Sequence, residues 1–127
     1  QSGSPTADLN LQRATEAMNK GDHEGALNTL NSLVKLAPSF VEAWNRRATI
    51  YFMQRDFGAS LDDLRSVLAR EPRHFGALSG LGQIMMAESE WVGATAALEA
   101  ALRVNPHLKS VRTALDTLKR RVKRSLH

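Results

Sequence analysis

Residues 44–72, WNRRATIYFMQRDFGASLDDLRSVLAREP, decide the fold of this chain, because their pattern of large, small and proline positions recurs at a fixed interval on both sides. Trp44, Ala48, Tyr51, Ser60, Leu64 and Pro72 are matched 34 residues later by Leu78, Gly82, Met85, Ala94, Leu98 and Pro106. The preceding segment keeps Ala14, Ala26, Leu30 and Pro38 in the same register. Apolar residues within each interval fall at helical spacing, interrupted once by a short polar turn, so each interval reads as two helices joined by a turn.

Working outward, residues 1–6 read as a flexible leader, with Ser4 or Thr6 as a cap and Pro5 suited to a helix start. A first helix is expected over Ala7–Lys20, a turn at Gly21-Asp22 and a second helix over Glu24–Leu36. Ser39 followed by Glu42 has the form of a capping box, which predicts a helix from near Phe40 carrying Val41, Trp44, Ala48, Tyr51 and Phe52. After a turn at Arg55-Asp56, the partner helix spans Phe57–Arg70 and ends before Pro72. The third interval predicts helices over Phe75–Ala87 and Trp91–Val104, with a turn at Glu88–Glu90. A seventh helix follows from Pro106 to Leu126, with Leu108, Val111, Leu115, Leu118 and Val122 on one stripe. Ala14, Ala48 and Gly82 stand opposite Ala26, Ser60 and Ala94, as close helix crossings require. His23, Phe57 and Trp91 share one position after the turns, where a ring can pack over the start of the second helix.

Composition narrows the function. The 127 residues are 43% hydrophobic and 24% charged, the balance of one globular domain. With no cysteine there is no disulfide, thiolate metal site or cysteine nucleophile. No apolar run reaches the roughly 18–20 residues of a membrane helix. The first residue is Gln1 rather than Met and a loop-like stretch follows, as in the middle of a longer precursor. The net charge of +4 is unevenly placed: residues 1–108 hold 10 Lys/Arg against 12 Asp/Glu, and residues 109–127 hold seven against Asp116 alone. Lys119, Arg120, Arg121, Lys123 and Arg124 ring a helix rather than stripe it, which favours a solvated, dipole-compensating end over a dedicated nucleic-acid site.

Catalytic patterns are missing. The sequence has no HExxH, P-loop, GxSxG or GxGxxG motif, and no cofactor is implied. His74 and His107 are equivalent positions of successive intervals, too far apart to share a zinc ion, and read as linker residues. Asp62 and Asp63 are adjacent and point about 100° apart on a helix, so they do not flank one substrate.

The 34-residue period and its landmarks resemble the tetratricopeptide repeat (TPR) family, over about residues 7–126. The resemblance implies an all-α, right-handed solenoid of three helix-turn-helix units, at about 7–40, 41–74 and 75–108, and a capping helix at about 107–124, in a single domain over 7–127. It implies a non-catalytic adaptor whose first helices line a groove for a peptide or a partner's helix. Carried over by position, that groove is Leu11, Thr15, Met18 and Asn19, then Asn45, Thr49, Phe52 and Met53, then Ser79, Gln83, Met86 and Ala87, with Arg46 turned toward the same surface. Asn45-Arg46-Arg47-Ala48 with Asp62-Asp63 is similar to the family's NRA-type first helix, which implies an Arg47–Asp63 ion pair; a binding role for Arg47 is the other reading. The carboxylate clamp of chaperone-type members is replaced here by Leu11, Thr15, Arg46, Gly76 and Gly80. The strings WNRRAT and EPRHFGALSG are similar to small bacterial exported members, which implies a periplasmic home, a cytoplasmic one being the alternative. Self-association, with another copy or an upstream helix covering the groove, and polyanion contact through the basic end are the competing functions.

Overall fold

The computed structural model describes residues 3–125. Among them are seven α-helices: α1 Pro5–Asn19, α2 His23–Leu36, α3 Val41–Met53, α4 Phe57–Arg70, α5 Phe75–Ala87, α6 Trp91–Val104 and α7 Lys109–Ser125. Pro5 opens α1, so the helix takes in the last residues of the expected leader; Ser4 accepts a hydrogen bond from the Ala7 N–H at 3.2 Å. Gln1, Ser2 and the expected helix end at Leu126 lie outside the described residues.

Two compact units are present, meeting in sequence between Arg70 and Glu71. In the first, α1 pairs with α2 and α3 with α4, while α2 and α1 both pack on α3. Its core is built from Ala14, Ala26, Leu30, Leu33, Ala43 and Ile50, with Leu11, Met18 and Trp44 packed around it. Small residues let the paired helices approach: Ser60 is 1% exposed, and its Oγ donates to the Ala48 carbonyl of the facing helix at 2.7 Å. In the second unit α5 pairs with α6, and α7 packs on α6 through Ala94, Leu98, Leu115 and Leu118. A Cβ on Gly82 would lie 2.6 Å from Leu98 Cδ2, so glycine is what permits the α5–α6 approach.

The three turns inside the helix pairs share one geometry. Gly21, Arg55 and Ser89, spaced 34 apart, all have positive φ, at 82°, 60° and 59°. Each is followed by an N–H that reaches back five residues, from Asp22 to Ala17, Asp56 to Tyr51 and Glu90 to Met85, at 2.8, 2.8 and 2.7 Å. This is a Schellman closure, and it places the next residue at the start of the second helix. Asp22 and Asp56 then cap Gly25 and Ala59 N–H groups at 3.0 and 3.3 Å, whereas Glu90 makes no side-chain cap. The third turn therefore has two unfavourable choices, a left-handed serine and a side chain too long to cap. Ser89→Gly with Glu90→Asp is expected to stabilise the protein by about 1–2 kcal/mol. An unchanged melting temperature would show that neither feature carries strain.

The capping box expected at Ser39 is not formed. Phe40 is the N-cap residue of α3, without a side-chain cap, because Ser39 lies inside the turn that the Phe40 N–H closes onto the Ala37 carbonyl at 3.0 Å. His74, expected as a linker residue, instead caps α5: its Nδ1 accepts from the Ala77 N–H at 3.0 Å.

Candidate functional site

Residues 45, 46, 49, 52 and 53 fall within about 120° of the α3 circumference, by the 100° step of an α-helix. The opposite side of the helix is committed to packing, with Ala43, Ala48 and Ile50 buried. Asn45, Arg46 and Phe52 are half-buried, Thr49 is exposed and Met53 is 52% exposed. Thr49 Oγ1 donates to the Asn45 carbonyl at 3.1 Å. The Phe52 ring lies 5.5 Å from Phe57, the residue expected to pack over the start of α4, and Arg55 covers the Phe57 ring at 5.1 Å. On α1, Leu11 and Met18 pack on the core rather than standing free, Thr15 donates its hydroxyl to the Leu11 carbonyl at 2.9 Å and Asn19 is exposed.

In the second unit, α5 carries Ser79, Gln83, Met86 and Ala87 at the same spacing. Gln83 and Ala87 are exposed and Ser79 is half-buried. Met86 is turned partly inward, against the cluster that joins α6 to α7. Two polar atoms on these helices, Arg46 Nε and Ser79 Oγ, are buried without a hydrogen-bond partner. Such atoms cost free energy until something satisfies them.

Arg47 and Asp63 lie behind this face. Arg47 Nη2 and Nε donate to the two carboxylate oxygens of Asp63 at 2.7 and 2.9 Å, a bidentate pair that ties α3 to α4. The side chains are 16% and 4% exposed. Arg47 Nη1 also donates to Asn31 Oδ1 on α2 at 3.0 Å, and its guanidinium lies 5.2 Å from the Trp44 ring centre and 5.8 Å from Tyr51. Burial pushes the Asp63 carboxyl above the usual carboxylate range, and the bond to Arg47 opposes this only in part. The hydrogen bond to Asp63 holds Arg47 above its own usual range, against the pull of burial. Asn31 has no counterpart in the next interval, where Arg65 stands, so the repeat pattern carried no signal for it. Asp62, one residue before Asp63, is exposed and reaches Arg65 only at 3.9 Å.

The basic end is arranged unevenly. Lys119, Arg120, Arg121, Lys123 and Arg124 are all exposed, and among the described residues Arg121 alone of them lies over an aromatic ring, that of Trp91 at 4.6 Å. His107 is exposed and its N–H donates to Asn105 Oδ1 at 3.4 Å.

The sequence profile of the family described as tetratricopeptide repeat matches residues 11–65 and 54–108. A TPR repeat-containing protein of Rhizobium etli is 43% identical over 84 residues, covering 66% of this chain and 41% of that protein. The Sol locus transcriptional repressor of Clostridium acetobutylicum is 40% identical over 65 residues, covering 50% of this chain and 20% of that protein. The chain thus spans less than half the length of these curated relatives. Among solved structures, the first TPR of Spaghetti (RPAP3) bound to the HSP90 peptide SRMEEVD superposes with a TM-score of 0.87 at 17% identity, covering 92% of this chain and 93% of that one. The Sgt2 TPR domain from Aspergillus fumigatus gives 0.87 at 19% identity, covering 96% and 82%.

Proposed function

This chain belongs to the tetratricopeptide repeat family, and on that premise we propose that it is a non-catalytic adaptor whose first-helix faces hold an extended or helical segment of another protein. The observation that carries the reading is the α3 face, where exposed Thr49 and Met53 stand beside half-buried Asn45, Arg46 and Phe52 on the side of the helix turned away from its buried residues. The fold is that of a solved domain described with a bound peptide, which supports a peptide as the ligand class. Exposed Met53 adapts to varied apolar side chains, and Thr49, Asn45 and Gln83 offer hydrogen bonds to backbone, so binding is moderate and tolerant of sequence.

The same proposal takes α1–α2, α3–α4 and α5–α6 as three repeat units and α7 as the helix that closes the last one. A periplasmic location also belongs to it, on the resemblance of the two sequence strings alone.

Thr49→Arg with Met53→Glu blocks the α3 face without touching the core, since both side chains are exposed. The expected result is loss of partner binding by about tenfold or more with an unchanged circular dichroism spectrum. Partner binding that survives this double substitution in the folded protein would remove the α3 face from consideration. Self-association through the same face predicts instead that the double variant changes the sedimentation of the protein alone.

A further inference from the structure

A second surface is the groove between α6 and α7. It encloses about 430 Å³, with Val92, Ala96 and Glu99 on the α6 wall and Lys119, Val122 and Lys123 on the α7 wall. Val92 is 71% exposed, and Ala96 one turn further along α6 is exposed beside it.

The charge on α7 decides what fits. At 34-residue spacing α7 stands where α3 and α5 stand, and Asp116 and Lys119 take the positions of Gly82 and Met85. In α5 those two positions face α6 closely: a Cβ on Gly82 would meet Leu98, and one on Gly93 would lie 2.8 Å from Met85 Sδ. In α7 both residues are charged and exposed. A plain apolar helix laid against this face would bury charge without a partner, so the occupant has to bring charge of its own. Lys119 and Lys123 are one helical turn apart, with neither in an ion pair among the described residues.

The geometry points to a docking groove for an acidic amphipathic segment of a partner protein. One apolar side chain of that segment covers Val92, Ala96 and Val122, and two of its carboxylates, spaced by about one turn, meet Lys119 and Lys123. Glu99 on the opposite wall favours a cationic or polar residue on the segment's other flank, which orients it. The same carboxylate repels a phosphodiester chain, and Trp91 offers no stacking platform because Arg121 covers it at 4.6 Å. A lipid surface is disfavoured too: the apolar stripe of α7 is spent on α6, with Leu115 and Leu118 6% and 2% exposed.

Selection of a random library of displayed 16-residue peptides on the full chain tests this. The expected pool is enriched in Asp or Glu pairs spaced by four around Leu, Ile, Met or Phe, and synthetic members bind the Lys119→Glu, Lys123→Glu variant about tenfold more weakly. Their binding is unchanged by Thr49→Arg with Met53→Glu, which separates this groove from the α3 face. A pool without the acidic pair, or peptides that bind the charge-reversed variant equally well, overturns the proposal. So does tighter binding of a 20-base-pair duplex DNA or of phosphatidylglycerol vesicles, at physiological salt, that is lost on the same charge reversal.

Discussion

Arg47→Ala is expected to destabilise the protein by about 3–5 kcal/mol at neutral pH, because it leaves the Asp63 carboxylate buried with no cation beside it. That is a large part of the roughly 5–15 kcal/mol that holds a domain of this kind folded. The loss depends on pH in a direction that follows from Asp63. Its carboxyl is already raised by burial in the wild type, and without Arg47 nothing opposes that rise. A carboxyl whose folded value exceeds its unfolded one takes up a proton in the folded state first, so stability falls as pH climbs through the interval between the two values. The deficit of Arg47→Ala against wild type is therefore smaller at pH 5 than at pH 7. A buried pair also carries the cost of taking both charges out of water, so replacing the whole pair by apolar side chains is far milder than removing one partner. Arg47→Met with Asp63→Leu should accordingly recover most of the loss. Denaturant melts of Arg47→Met, Asp63→Leu and the double variant decide the matter: losses that simply add would mean the two side chains are not coupled.

Leu118→Ala is expected to cost about 2–5 kcal/mol, the range for removing a fully enclosed leucine from a core. Leu118 is 2% exposed and, with Leu115, fastens α7 to Ala94 and Leu98 of α6. Because α7 packs chiefly on α6, the damage should appear first as local opening. Hydrogen exchange is the sensitive measurement: amides of α7 should lose protection while those of α1 to α4 keep theirs. Protection retained throughout α7 would mean that the cluster is not what holds it. Opening of α7 also dismantles the groove bounded by Val122 and Lys123, so the acidic peptides selected on the intact protein should bind this variant weakly.

The sequence by itself determined the helices and their spacing. Phe57–Arg70, Phe75–Ala87 and Trp91–Val104 are read from it with the bounds the structure has, because prolines, polar turns and apolar period are local signals. The close crossing of α3 on α4 was legible in the same way, as Ala48 facing Ser60. What the sequence misplaced were choices between neighbours. Ser39 had the form of a cap, yet the turn after Pro38 gives that position to Phe40. The positive φ shared by Gly21, Arg55 and Ser89 was visible only at the glycine, since the other two side chains tolerate rather than announce it. Only the tertiary structure decided which side chains meet across helices: Asn31 with Arg47, Arg121 with Trp91, and Met86 with the α6–α7 cluster rather than with solvent. It alone left Arg46 Nε and Ser79 Oγ unmet and opened a groove beside Val92. A helical period states which face of a helix is buried, but not which atom of a neighbouring helix lies opposite. That depends on where two axes cross, and a shift of one side chain there changes the partner.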